Sequence, residues 1–145
     1  MKSREAQFLE RANRRASKLP EAQHWVYLTT PLTSTSWDGD ARSTTAKTLI
    51  DLSAVFAVPA GVRAVLVYVS LKDSGSAGTD CYLVLAPNDT ANQGMFFNAD
   101  RSGDDRNYRG NGVIPCDANG DIYFQVAASG AATCDVRIEV WGYLL

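Results

Sequence analysis

From His24 onward the apolar positions follow a strand-like pattern, broken at short intervals by Gly, Pro, Asn and Asp. The clearest segment is Thr133–Trp141, where Val136, Ile138 and Val140 alternate with Asp135, Arg137 and Glu139. Ile122–Ala128 alternates likewise, with Ile122, Phe124 and Val126 on one face. Val62–Leu71 is almost continuously apolar and β-branched, which predicts a central strand buried on both faces. Further strands are predicted at His24–Thr30, Ala46–Phe56, Cys81–Ala86, Gly94–Asn98 and Val113–Cys116. Pro31–Thr45, Asp73–Gly78 and Ala99–Gly112 read as polar loops, and Asp117–Gly120 as a tight hairpin turn. No helical period intervenes after residue 23. The expected fold is all-β, an antiparallel β-sandwich of jelly-roll type.

The first twenty residues have a different pattern. Ser3 is a plausible N-cap, Glu5 lies in the first turn, and Arg14, Arg15 and Lys18 gather near the end. Phe8, Leu9, Ala12, Ala16 and Leu19 form a thin apolar stripe, and Pro20 stops the run. A short N-terminal α-helix over 3–18 is therefore expected, in an arm of residues 1–22 preceding a β-sandwich domain of residues 23–145. The stripe is too thin for a coiled coil, and an isolated helix of this length is marginal in water.

Charge sharpens this division. The 145-residue chain has a net charge of only −2. Residues 1–20 carry Lys2, Arg4, Arg11, Arg14, Arg15 and Lys18 against Glu5 and Glu10, a net of +4, which leaves −6 on the remainder. The arm, with Phe8 beside its six cations, is expected to dock on an acidic protein surface. Phosphate binding is the rival reading, but no groove-reading motif or interleaved aromatics support it, so a nucleic-acid partner is not expected. A third reading lays the helix on its own body. No continuous apolar core marks residues 1–20 as a secretory signal, and no run nears the ~20 apolar residues of a membrane span.

Catalytic chemistry has little to work with. His24 is the only histidine, and no G-x-S-x-G elbow occurs. Asp38, Asp40, Asp100, Asp104 and Asp105 lie in polar stretches, where solvated carboxylates are the default. Asp117, Asn119 and Asp121 imitate the start of a calcium loop, but Ala128 stands where the bidentate Glu is required. Cys81, Cys116 and Cys134 are odd in number and widely spaced, so they predict neither a disulfide framework nor a zinc site. No enzyme activity, metal or cofactor is expected. Trp37 and Tyr108 sit in predicted loops, where each ring either stacks on a sugar or pins its loop to the core. With Asp38, Arg101, Arg106 and Arg109 they form a candidate ligand loop. Trp141 falls on the polar face of the last strand, and Tyr143, Leu144 and Leu145 continue an apolar ending. Trp141, Tyr143 and Leu145 are therefore candidate subunit contacts.

Three runs carry a resemblance: TLIDLSAVFAVPAGVRAVLVYVSLKDSGS, LVLAPNDTA and GVIPCDANGDIYFQVAASGAATCDVRIEVWGYLL. Across roughly residues 45–145 the chain resembles the small β-sandwich domains of tailed-bacteriophage virion proteins, of the capsid-decoration, head-fibre and tail-fibre types. The resemblance implies a virion structural protein made in the host cytoplasm, homotrimeric, and held to other capsid or tail proteins by its N-terminal helix. It implies no catalytic residues. A fibre tip that reads host glycans is the alternative.

Overall fold

The computed structural model describes Ser3, Gln7 and residues 23–34, 37, 46–74, 81–91, 93–99, 106–128 and 133–145. Eight strands and one short helix occur among them: β1 (Trp25–Thr33), β2 (Thr48–Ile50), α1 (Leu52–Phe56), β3 (Ala64–Asp73), β4 (Cys81–Ala86), β5 (Met95–Ala99), β6 (Arg106–Pro115), β7 (Ile122–Ala127) and β8 (Cys134–Leu144). They form two four-stranded antiparallel sheets, sheet A in the order β1-β8-β3-β6 and sheet B in the order β2-β7-β4-β5. Only β4 and β5 pair with a neighbour in sequence; every other connection leaves its sheet.

The sheets share one core. Val65, Val67, Val69 and Leu71 of β3, with Ile138 and Val140 of β8, join Leu83, Leu85, Phe97, Ile122, Phe124 and Val126 of sheet B in a single buried cluster. Burial of each such side chain contributes about 1.5–3 kcal/mol. Alternation decides which side chains enter it. On β3 the odd-numbered residues from Val65 are fully buried, whereas Leu66, Tyr68, Ser70 and Lys72 are half-buried on the outer face. The expectation that this strand is buried on both faces is thus corrected.

Three other expectations change. Ala46–Phe56 is not one strand, because β2 ends at Ile50 and α1 follows. Asp51 causes the switch: its carboxylate accepts the Ala54 N–H at 2.9 Å and the Ser53 hydroxyl at 2.7 Å, capping the helix, and Ala57 closes it with φ 57°. The predicted loop over Ala99–Gly112 is largely strand, since β6 pairs with β3 from Arg106 onward. Its polar residues belong to the solvated outer face of an edge strand. Facing inward, Gly110 and Gly112 leave room for the Tyr108 ring and the Met95 side chain. Finally, Asp117–Gly120 joins β6 of sheet A to β7 of sheet B, so it is a tight turn between sheets and not a hairpin.

The expected helix over 3–18, with Lys2, Arg4, Phe8, Arg11, Arg14, Arg15 and Lys18, lies outside the described residues apart from Ser3 and Gln7. Gln7 N–H donates to the Ser3 carbonyl at 3.1 Å, a bond of helical spacing.

Candidate functional site

The two outer faces differ in chemistry. On sheet B the outward positions Val84, Ala86 and Gln125 are buried, while Phe96 is exposed and stacks obliquely on Tyr82 at 5.6 Å. Sheet A instead presents rings among charges. Its cross-strand rows follow from the register: Glu139–Tyr68–Asn111, then Arg137–Ser70–Arg109, then Asp135–Lys72–Asn107. Trp25 and Tyr27 of β1 stack on the same face at 6.1 Å, and Tyr27 is 71% exposed.

A β-bulge sets the middle of this face. Val67 pairs with Val140 and Leu66 with Gly142, so Trp141 is an extra residue in β8. Its ring is exposed, and its indole N–H donates to Glu139 Oε2 at 3.0 Å. Glu139 Oε1 also takes an ion pair from Arg137 Nη2 at 2.6 Å. One carboxylate thus fixes both an indole and a guanidinium. The Glu139 side chain is only 12% exposed against 68% for Arg137, so the pair is anchored from the acidic end. Beside it lies an open depression of about 500 Å³, lined by Tyr68, Ser70, Arg109, Arg137, Glu139 and Trp141. Ser70 is the small residue between two arginines, which is why the surface dips there.

The sequence-predicted candidates separate. Arg109 and Trp141 come together at this depression. Tyr108 does not join them: it faces inward opposite Leu71, half-buried against the core, with its ring edge-on to Phe97 at 6.2 Å. It pins β6. Trp37 is likewise a pin, packed edge-on to Phe124 at 5.3 Å, with its backbone N–H donating to Ser34 Oγ at 3.0 Å. It lines a separate cleft of about 280 Å³ with Thr33, Ser34, Phe56, Val136, Arg137 and Ile138. Asp38, Arg101 and the Arg106 side chain lie outside the described residues. Tyr143 is half-buried. Downstream of the bulge it pairs with Val65 and packs against the core, leaving Trp141 and Leu145 as the exposed pair. Tyr68, Ser70, Arg137 and Glu139 were missed as site residues, although the Asp135-Arg137-Glu139-Trp141 alternation was the signal.

The remaining ionisable groups serve local structure. Asp117 Oδ1 accepts the N–H groups of Asn119 and Asp121 at 2.8 and 2.9 Å, which makes the turn. Asp121 Oδ1 accepts the Leu52 N–H at 3.0 Å and ties α1 to that turn. Burial pushes the Asp121 carboxyl above its usual range, helped by Asp51 and Asp117 and opposed by the Leu52 bond. Burial, with Asp117 and Asp121 nearby, pushes the Cys116 thiol up to about 12. Buried Asp73 accepts a hydrogen bond from the Cys81 thiol, with Cys134 directly across from it on β8. Among the described residues no three His, Cys, Asp or Glu side chains are grouped to hold a metal ion. No helix among them is long and apolar enough to cross a membrane. No protein-family model matches the chain, and no curated protein matches it.

Proposed function

We propose that this chain is a structural protein of a tailed-phage virion, a jelly-roll body held to the capsid or tail by its basic N-terminal residues. The observation that carries the reading is the strand order: β1-β8-β3-β6 against β2-β7-β4-β5 is the arrangement that two nested Greek keys produce. A fold alone licenses many functions. The phage-like β-sandwich resemblance and the +4/−6 charge division support this one. In this reading the basic residues Lys2, Arg4, Arg11, Arg14, Arg15 and Lys18 supply the attachment and the two sheets supply the body. The trimer implied by the resemblance has exposed apolar contacts to use in Leu49 and Phe96 on sheet B.

The test is co-sedimentation with particles. The full chain is expected to travel with purified virions through a density gradient, and the chain lacking residues 1–20 to stay behind. Attachment that survives the deletion refutes the anchoring role, and a chain absent from particles refutes the virion assignment.

A second reading, a carbohydrate-recognising tip, is favoured by one observation. Trp141, Tyr68 and Arg109 line a common depression on sheet A.

A further inference from the structure

We propose that the depression on sheet A binds a carboxylate-bearing saccharide, with Trp141 and Tyr68 as the apolar platform and Arg109 as the partner of the carboxylate. The proposal rests on the carbohydrate reading and assigns it a place and a ligand class.

Size and shape come first. A volume of about 500 Å³ suits one or two sugar rings, and the depression is open enough to admit a chain end. The polar lining is already ordered. Glu139 holds Arg137 at 2.6 Å and the Trp141 indole at 3.0 Å, so neither side chain must be immobilised by the ligand. The bulge leaves the indole exposed on the outer face, where it lines the same depression as the small Ser70. A sugar offers a C–H face to such a ring and hydroxyls to its rim.

Charge then selects among sugars. The lining carries two arginines and one glutamate. Arg137 is neutralised by Glu139, whereas Arg109 has no carboxylate partner among the described residues. One positive charge is therefore left over, in a body whose net charge is negative. Glu139 also narrows the choice. It accepts hydrogen bonds, so it suits a ligand with hydroxyl donors and repels one made only of phosphate oxygens. A uronic or sialic acid has both parts, hydroxyls for Glu139 and Ser70 and a single carboxylate for Arg109. A guanidinium meets a carboxylate in a planar, two-point geometry that a lysine cannot reproduce.

The experiment uses the full chain on an array of carboxylated glycans (galacturonate, glucuronate and N-acetylneuraminate oligomers) and neutral glycans of matched length, followed by titration calorimetry on the best binder. Binding of carboxylated glycans about tenfold or more tighter than of the matched neutral ones is expected. Arg109→Gln is expected to weaken it about tenfold or more, down to the level of the matched neutral sugar. Trp141→Ala is expected to abolish binding to both, with an unchanged melting temperature showing that the fold persists. Any of these outcomes overturns the proposal: no carboxylated glycan bound, equal binding of neutral glycans, undiminished binding by Arg109→Gln, or displacement by inorganic phosphate at the concentration of the sugar. A Trp141→Ala variant that dissolves a sugar-independent oligomer also overturns it, because the ring would then belong to a self-contact. Particle co-sedimentation is unaffected by any of these results, so the attachment reading stands or falls separately.

Discussion

Gly61 and Gly120 offer a controlled comparison of strain with space. Both have left-handed backbone, with φ 76° and 91°. They meet where the turn between β6 and β7 abuts the start of β3: Gly61 N–H donates to the Asn119 carbonyl at 3.3 Å. At Gly61 a Cβ would find nothing within 4 Å. Alanine there is opposed by its left-handed conformation, about 1–2 kcal/mol, and favoured by a stiffer unfolded chain, about 0.4–1 kcal/mol. The expected net loss for Gly61→Ala is about 1 kcal/mol. At Gly120 the same Cβ would fall 2.8 Å from the Gly61 nitrogen and 2.9 Å from the Val62 nitrogen. Those atoms are backbone and cannot rotate away. The turn must separate from the start of β3, adding an overpacking penalty of about 1–3 kcal/mol and disturbing the Gly61–Asn119 bond, worth about 1 kcal/mol. Gly120→Ala is therefore expected to lose about 3–5 kcal/mol in all. Urea unfolding of both variants, at equal denaturant slope, measures the difference. Losses within about 0.5 kcal/mol of each other would refute the close approach of this turn to β3.

Other outcomes follow from the same geometry. Phe124→Ala, at a fully buried site, is expected to lose about 3–5 kcal/mol by chemical denaturation and to shift Trp37 fluorescence, since Trp37 rests edge-on against that ring. The Asp121 carboxyl is raised in the folded state, so the folded chain binds the proton more readily than the unfolded one. Stability contributed by this group falls as pH rises from the unfolded value of 3.8 through the raised one, and Asp121→Asn should flatten that segment of a melting-temperature profile. Asp51 acts in the opposite sense. Its carboxyl is lowered by the Ala54 and Ser53 bonds, so its contribution is present above 3.8 and is lost as pH falls through the depressed value. Asp51→Ala should remove that acid-side dependence. Cys116, with its thiol pushed up to about 12, should react slowly with a thiolate-selective disulfide reagent at pH 8, and faster in Asp121→Asn, which removes one of the charges that raise it.

The all-β class, the antiparallel pairing and most of the core were legible because period-two alternation is a local signal. Val136, Ile138 and Val140 enter the core as their spacing requires, as do Ile122, Phe124 and Val126. The errors lie where a local pattern has two causes. The polar run around Asn107, Arg109 and Asn111 reads as a loop, yet alternate polar residues also describe the outward face of an edge strand. The apolar run through Leu52, Val55 and Phe56 reads as a strand, yet Asp51 caps it into a helical turn. The partition of strands between sheets has no local signature at all. Asn119-Gly120 would serve a hairpin as well as it serves the turn between sheets.

The candidate site shows the same limit at a single residue. Strict alternation through β8 places Trp141 and Tyr143 outward together and Gly142 inward. The extra residue at the bulge breaks that parity: Trp141 stays outward, Gly142 pairs with outward-facing Leu66, and Tyr143 turns in opposite Val65. Gly142 suits its position because a Cβ there would fall 2.8 Å from the Val26 carbonyl of the neighbouring edge strand. The bulge therefore withdraws one aromatic from the surface and leaves the other beside Glu139. Those surroundings distinguish the two roles for Trp141. A subunit contact wants a continuous apolar patch, which Tyr143 would have extended. A ring hydrogen-bonded at its edge to a carboxylate and flanked by Tyr68, Arg109, Arg137 and Ser70 instead has the mixed surroundings of a small polar ligand's platform. Removing the bulge tests this directly. Deletion of Trp141 should restore even pairing of β8 with β3, leave Gly142 opposite Leu66 and Tyr143 opposite Val65, and abolish saccharide binding. A deletion variant that still binds would show that neither the indole nor the bulge builds the site.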